Sequence, residues 1–168
     1  DDLDANPQKE MSGGDVMYGD AGDDYIDGGL GMDKLYGGAD NDTLVFDSED
    51  SVIDGGTGFD TLKITDQTAV VDFGHFGING IDAVDMANQA QTSLQLNASD
   101  VLGNTDSGQL VISGDTGDIV HADEYTVRGN DQTIDGVKYA QYTTSGSNSA
   151  SILVEVGLEL NGTVVNEQ

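Results

Sequence analysis

Aspartate recurs at nine-residue spacing in the first third of the chain, at Asp15, Asp24, Asp33, Asp42 and Asp60, with Ser51 breaking the series. Carboxylates fixed at one interval and preceded by glycine at fixed distances suit the binding of a hard cation through oxygen. The unit is clearest in Gly28-Gly29-Leu30-Gly31-Met32-Asp33-Lys34-Leu35-Tyr36. Stepping by nine gives six frames, starting at Glu10, Gly19, Gly28, Gly37, Phe46 and Gly55. Place six is aspartate in five of them, and place eight is apolar in all: Met17, Ile26, Leu35, Leu44, Ile53 and Leu62. Glycine stands at place four in Gly13, Gly22, Gly31 and Gly58, and at place two in Gly29, Gly38 and Gly56.

A short fixed period dictates architecture before any single residue does. The glycines permit a tight turn and close passage of other backbone. The last three residues of a frame form a very short strand with one inward apolar side chain, which is unstable alone. Stacking frames on alternating sides of a flat coil buries the place-eight row, and turns two frames apart then lie one above the other. The facing pairs are Asp15/Asp33, Asp24/Asp42 and Asp42/Asp60, while the pairing of Asp33 with Ser51 lacks one carboxylate.

Stacked carboxylates repel unless a cation lies between them. A hard divalent ion takes about six oxygen ligands, and the turns add backbone carbonyls to the carboxylates. The expected ligands are the side chains of Asp15, Asp24, Asp33, Asp42 and Asp60, with carbonyls near Gly13, Gly22, Gly29, Gly31, Gly38, Gly56 and Gly58. Asp33 and Asp42 are expected to matter most, since each can serve ions on both sides. The fourth frame, residues 46–54, keeps its apolar place and loses its glycines, so the adjacent site should be weaker. The repeat resembles the calcium-binding nonapeptide of RTX (repeats-in-toxin) proteins, GGxGxDxUx, and that resemblance implies a parallel β-roll holding several Ca2+ ions.

The whole chain of 168 residues carries 32 acidic and 5 basic side chains, a net charge of −27. Residues 1–63 hold 17 of the acids, so acidity extends well beyond the calcium turns. Such self-repulsion opposes compaction, so the calcium-free repeat should be expanded and calcium should fold it. Nucleic acid and anionic membrane are poor partners for this surface. There is no cysteine, which excludes disulfides and thiolate metal sites. No stretch approaches the ~20 apolar residues of a membrane span. The chain has no amino-terminal signal peptide and does not begin with methionine, and it reads as a segment of something longer.

Residues 1–9 read as a linker, residues 10–63 as the β-roll, and residues 64–168 as a β-rich carboxy-terminal cap. In the cap, strands are expected at residues 69–73, 81–86, 93–96, 109–113, 118–122, 125–128, 137–143 and 152–160. Asp135-Gly136 should turn a hairpin, and Ser99 should cap a single helical turn closed by Gly103. The order is a β-roll, a coil continuing it with looser spacing, and closing antiparallel strands that cover the exposed end. The fold class is therefore all-β, a calcium-binding parallel β-roll followed by a capping domain with antiparallel strands.

A second resemblance spans about residues 10–160. After the repeats come Gly80-Ile81-Asp82-Ala83-Val84-Asp85-Met86, Ser93-Leu94-Gln95-Leu96-Asn97-Ala98-Ser99-Asp100-Val101-Leu102 and Gly108-Gln109-Leu110-Val111-Ile112-Ser113-Gly114-Asp115-Thr116-Gly117-Asp118. Tyr139-Ala140-Gln141-Tyr142 and Ile152-Leu153-Val154-Glu155-Val156 close the series. This is similar to the carboxy-terminal region of very large RTX adhesins exported by type I secretion. The resemblance implies an uncleaved carboxy-terminal signal, calcium-driven folding outside the cell, and service in surface attachment and biofilm. The acidic, apolar Leu158 to Gln168 is compatible with such a signal. The implied partners are calcium ions and the type I secretion machinery, and the expected state is a secreted monomer at the bacterial surface.

RTX repeats also accompany hydrolases, but the chain has neither His-Glu-x-x-His nor Gly-x-Ser-x-Gly. Its two histidines, His75 and His121, read as structural or surface residues. Asp115-Thr116-Gly117-Asp118 reads as an ordinary turn rather than a stray calcium turn, and Tyr18, Tyr25 and Tyr36 as packing between coils. The expectation is a non-enzymatic module. The alternatives are a calcium-dependent sugar- or peptide-binding module and the tail of a secreted hydrolase.

Overall fold

The place-eight side chains form a continuous interior row. Ile26, Leu35, Leu44, Ile53 and Leu62 are fully buried, while Met17, in the outermost repeat coil, is half-buried. The structure is a computed structural model describing the backbone of residues 2–4 and residues 13–65, 70–74, 77–105, 107–146 and 149–168. Glu10, where the first frame begins, and His75 lie outside the described residues.

In the repeat the strands are β1 (Asp2–Asp4), β2 (Val16–Ala21), β3 (Tyr25–Asp27), β4 (Lys34–Ala39), β5 (Thr43–Phe46), β6 (Val52–Thr57) and β7 (Thr61–Ile64). Beyond it come β8 (Val70–Asp72), β9 (Ile78–Asn79), β10 (Ala83–Asp85), β11 (Ser93–Gln95), helix α1 (Ala98–Asn104), β12 (Gln109–Ser113) and β13 (Ile119–His121). The chain closes with β14 (Tyr125–Ile134), β15 (Val137–Thr144), β16 (Ser151–Glu155), β17 (Glu159–Leu160) and β18 (Thr163–Val164).

These strands make the two walls of a parallel β-roll. One wall is a nine-stranded sheet in the order β1-β3-β5-β7-β10-β12-β16-β15-β14. The other is divided into β2-β4-β6-β9 and β8-β11-β13-β17-β18. In the repeat, each strand pairs with the strand two frames away, as in Lys34 with Val52 and Thr43 with Thr61. Successive coils therefore superpose at an 18-residue step, and identical places face each other. Tyr18 stacks on Tyr36 with ring centroids 4.9 Å apart, so these two tyrosines pack coil on coil.

The nine-stranded sheet passes residue 64 without interruption. Leu62 pairs in parallel with Val84, Val84 with Ile112, and Leu110 with Ile152, so the solenoid continues with steps that lengthen irregularly. The widest step contains the β14–β15 hairpin, turned at Asp135 and Gly136, both with positive φ. Antiparallel pairing of β14, β15 and β16, and of β17 with β18, ends the two walls. Val71, Phe73, Leu94, Val120, Ile152 and Leu158 extend the same buried row.

Two local expectations differ. Asp2–Asp4, read as linker, pair in parallel with Tyr25–Asp27. The helix is capped by Asn97 rather than Ser99, and it runs through Gly103 to Asn104. Asn97 Oδ1 accepts the N–H groups of Ser99 and Asp100, while Asp100 Oδ2 accepts the N–H of Asn97. This reciprocal box satisfies three amides, which a serine cap two residues later would leave unpaired.

Since each frame contributes a single place-eight side chain to a thin core, truncating one leaves a cavity that the flat coil cannot close. Leu44→Ala should cost about 2–5 kcal/mol of stability in excess calcium, measured by denaturant unfolding. The exposed turn residue Leu30 is the control, and Leu30→Ala should stay within about 0.5 kcal/mol.

Candidate metal centre

The place-six carboxylates of Asp33, Asp42 and Asp60 turn onto the neighbouring coil. Asp33 Oδ1 accepts the Asp15 N–H at 2.7 Å, Asp42 Oδ1 that of Asp24 at 2.9 Å, and Asp60 Oδ1 that of Asp42 at 2.8 Å. The side chains of Asp24, Asp33, Asp42 and Asp60 are buried. In Asp33, Asp42 and Asp60, one oxygen thus holds the coil stack. The second oxygen of Asp33 and Asp42, and Oδ2 of Asp15, are buried with no hydrogen-bond partner. A buried carboxylate oxygen without a donor is costly, and a cation is the ligand such an oxygen lacks.

The glycines make room for this arrangement. A Cβ on Gly28 would meet the Asp33 carboxylate, and one on Gly37 would meet both the Asp42 carboxylate and the Gly55 carbonyl, all within 3.0 Å. Places two and four bring carbonyls between coils: Gly31 lies against the Gly13 carbonyl, Gly38 against that of Asp20, Gly56 against that of Gly38, and Gly58 against that of Asp40. Gly22 is open and donates to the Ala39 carbonyl at 3.2 Å, and Gly29 donates to Asp27 Oδ1 at 2.9 Å. Among the described residues no three acidic or imidazole side chains converge as a metal cluster. The donor set is therefore carboxylates supplemented by carbonyls, an all-oxygen set that fits calcium.

Several contributors escape the nonapeptide pattern. Asp20 and Asp40 occupy places two and four with positive φ of 70° and 78°, in columns otherwise held by glycine. The 18-residue columns Asp20/Gly38/Gly56 and Gly22/Asp40/Gly58 were the signal for them. Place five forms a second ladder, in which Asp23 Oδ1 accepts the Asn41 N–H and Asn41 Oδ1 that of Phe59, each at 2.9 Å. Asp82 extends the place-six ladder beyond the repeat, its Oδ2 accepting the Asp60 N–H at 3.5 Å.

The Ser51 frame does not lack a carboxylate. Ser51 donates its N–H and hydroxyl to the Asp33 carbonyl at 2.8 and 3.0 Å. Asp50, one residue earlier, is only 8% exposed and turns its carboxylate inward. Burial pushes the Asp50 carboxyl up to about 7; the N–H groups of Asp47 and Asp33 oppose that rise, and the Asp33 and Asp47 charges add to it. Asp42 is also raised, first by burial, against the Asp24 N–H and with help from Asp24, Asp23 and Asp40.

Asp118 behaves differently. It is fully buried, but Oδ1 accepts the Thr92 N–H and Oδ2 the Asp115 N–H, both at 2.8 Å. The Asp115–Asp118 segment is thus a hydrogen-bonded turn with neither oxygen spare. His121 lies exposed at the end of β13, away from both aspartate columns.

Two outcomes follow from this geometry. Gly37→Ala should raise the calcium concentration needed for folding at least tenfold, whereas Gly13→Ala, which meets nothing within 4 Å, should leave the titration midpoint unchanged. The raised carboxyls also set a pH dependence for the calcium-free chain. Their folded pKa values lie above the ordinary 3.8, so the folded state binds more protons, and stability falls as pH rises from about 4 to about 7. In chelator, circular dichroism should show more β structure at pH 5 than at pH 8.

Residues 11–44 match the family model of the RTX calcium-binding nonapeptide repeat, in four copies. Comparison with curated proteins and with solved structures returned no match. The matched span covers the turns of Asp15, Asp24, Asp33 and Asp42, whose buried oxygens and stacked carbonyls have just been described. The chain carries an RTX repeat region folded as a β-roll, and its cofactor is calcium.

Proposed function

We propose that this chain is a non-enzymatic module that folds on calcium after type I secretion and terminates an extracellular adhesin. RTX repeats imply calcium binding and association with type I secretion. The observation that supports the folding role is the stacked carboxylates: Asp33, Asp42 and Asp60 each hold the next coil through one oxygen, and buried oxygens of Asp15, Asp33 and Asp42 lack a donor. Inside a cell, where free calcium is scarce, repulsion along this column and a net charge of −27 keep the chain extended and able to thread an exporter. Outside, calcium neutralises the column, and binding energy becomes folding energy. Among the described residues no helix is long and apolar enough to cross a membrane.

The adhesin role rests on the second family resemblance, which spans about residues 10–160 with the repeats. The module would anchor or release a longer attachment protein rather than contact the target itself. A passenger fused ahead of residues 1–168 should leave bacteria equipped with a type I exporter, and deletion of residues 158–168 should retain it in the cytoplasm. The exported passenger should resist protease in calcium medium and be degraded in chelator. Export that is indifferent to residues 158–168, or equal protease resistance in both media, would contradict the proposal.

A further inference from the structure

We propose that Asp33 and Asp50 together hold a calcium ion at the coil step where the repeat has lost its place-six aspartate. The inference rests on the calcium-folded reading of the repeat and adds a ligand that the nonapeptide pattern does not provide. Asp33 is fully buried; its Oδ1 is taken by the Asp15 N–H, and its Oδ2 has no partner. Asp50 is more than nine-tenths buried; its Oδ2 accepts the Asp47 N–H at 3.0 Å, and its Oδ1 has no partner.

The turn explains how a residue at place five reaches this position. The Asp50 N–H donates to the Asp47 carbonyl at 3.1 Å, which curls residues 47–50 and swings the Asp50 side chain back toward the Asp33 coil. This is the place in the stack where Asp42 accepts the Asp24 N–H and Asp60 the Asp42 N–H on the other edge. Ser51 meanwhile holds the register by saturating the Asp33 carbonyl.

Asp118 supplies the internal comparison. It sits in a turn of the same form, with the Asp118 N–H on the Asp115 carbonyl at 3.1 Å and the Asp115 N–H on Asp118 Oδ2. There the second oxygen is closed by the Thr92 N–H, so the turn is complete without metal. In the Asp50 turn the corresponding oxygen stays buried and open, and the bonds from Ser51 to the Asp33 carbonyl set this turn against the coil of Asp33, whose Oδ2 is also buried and open. Two like-charged carboxylates so placed call for a cation with oxygen preference.

The test is the number of calcium ions retained per chain at saturation, counted by equilibrium dialysis with atomic absorption. Asp50→Asn should bind one ion fewer than the parent chain, with the β-roll circular dichroism unchanged. Glu49→Gln, which removes the same charge from an exposed position in the same turn, should bind the parental number. An unchanged count in Asp50→Asn, or an equal loss in both variants, would overturn the assignment. Should Asp50→Asn lose structure as well as an ion, the double variant Asp50→Asn/Ser51→Asp decides. Recovery of the ion supports the site, and recovery of structure without the ion overturns it. A parent chain that retains no calcium would instead remove the calcium reading on which the inference rests.

Discussion

Everything in the first half of this molecule depends on keeping buried carboxylates one coil apart. Two unit charges about 4 Å apart repel by roughly 4 kcal/mol at the effective dielectric of a protein. Several such contacts along Asp24, Asp42, Asp60 and Asp82, and along Asp15, Asp33 and Asp50, rival the whole stability of an ordinary domain. The backbone amides that cap Asp33, Asp42, Asp60 and Asp82 relieve part of this, because hydrogen bonds to a charged acceptor are strong. They cannot relieve all of it, since Oδ2 of Asp15, Asp33 and Asp42 receives no donor. The same geometry that aligns place-eight side chains into a core also aligns the charges, so the core cannot form unless the charges are compensated.

The solenoid changes its means of support along its length while keeping one continuous sheet. In the repeat, glycine turns bring carboxylates and carbonyls around a cation. Beyond it, turns close on their own hydrogen bonds: Asp118 onto Asp115 and Thr92, and Asp100 with Asn97 at the start of α1. Coil length is then free to vary, and the hairpin of β14 and β15 is inserted without disturbing the pairing of β12 with β16. Past residue 64 the only basic side chains are Arg128 and Lys138, and both engage the final residues. Arg128 donates to the Asn166 carbonyl at 2.8 Å, and Lys138 pairs with Glu167 at 2.7 Å. The contacts are individually weak, but they fix the tail across the hairpin that ends the nine-stranded sheet.

How much of this could be read from sequence followed from how strictly the period was kept. Nine-residue spacing fixed the coil step, the facing pairs Asp15/Asp33, Asp24/Asp42 and Asp42/Asp60, and the buried row from Ile26 to Leu62. Alternation located most later strands, and Asp135-Gly136 located the hairpin. What escaped was whatever depended on distance rather than spacing. Asp50 stands at the wrong place in its frame, and only the curl of residues 47–50 brings its carboxylate to Asp33. The continuous sheet beyond residue 64 has no constant period to announce it. Asp20 and Asp40 were hidden because what they lend is a carbonyl, which any residue has. Asn97 and Ser99 are both good helix caps, and the reciprocal bond from Asp100 selects between them.

The measurement closest to the central claim is a calcium titration of the purified chain at neutral pH, followed by far-ultraviolet circular dichroism against a magnesium control. The chain should give a disordered spectrum in chelator and a cooperative gain of β structure at about 0.1–1 mM calcium, the range of extracellular modules. Magnesium, which is smaller and prefers to keep its water, should fail to produce it. A chain already fully β in chelator at neutral pH, with a spectrum that calcium does not alter, would contradict the claim that charge compensation by calcium permits the core to form.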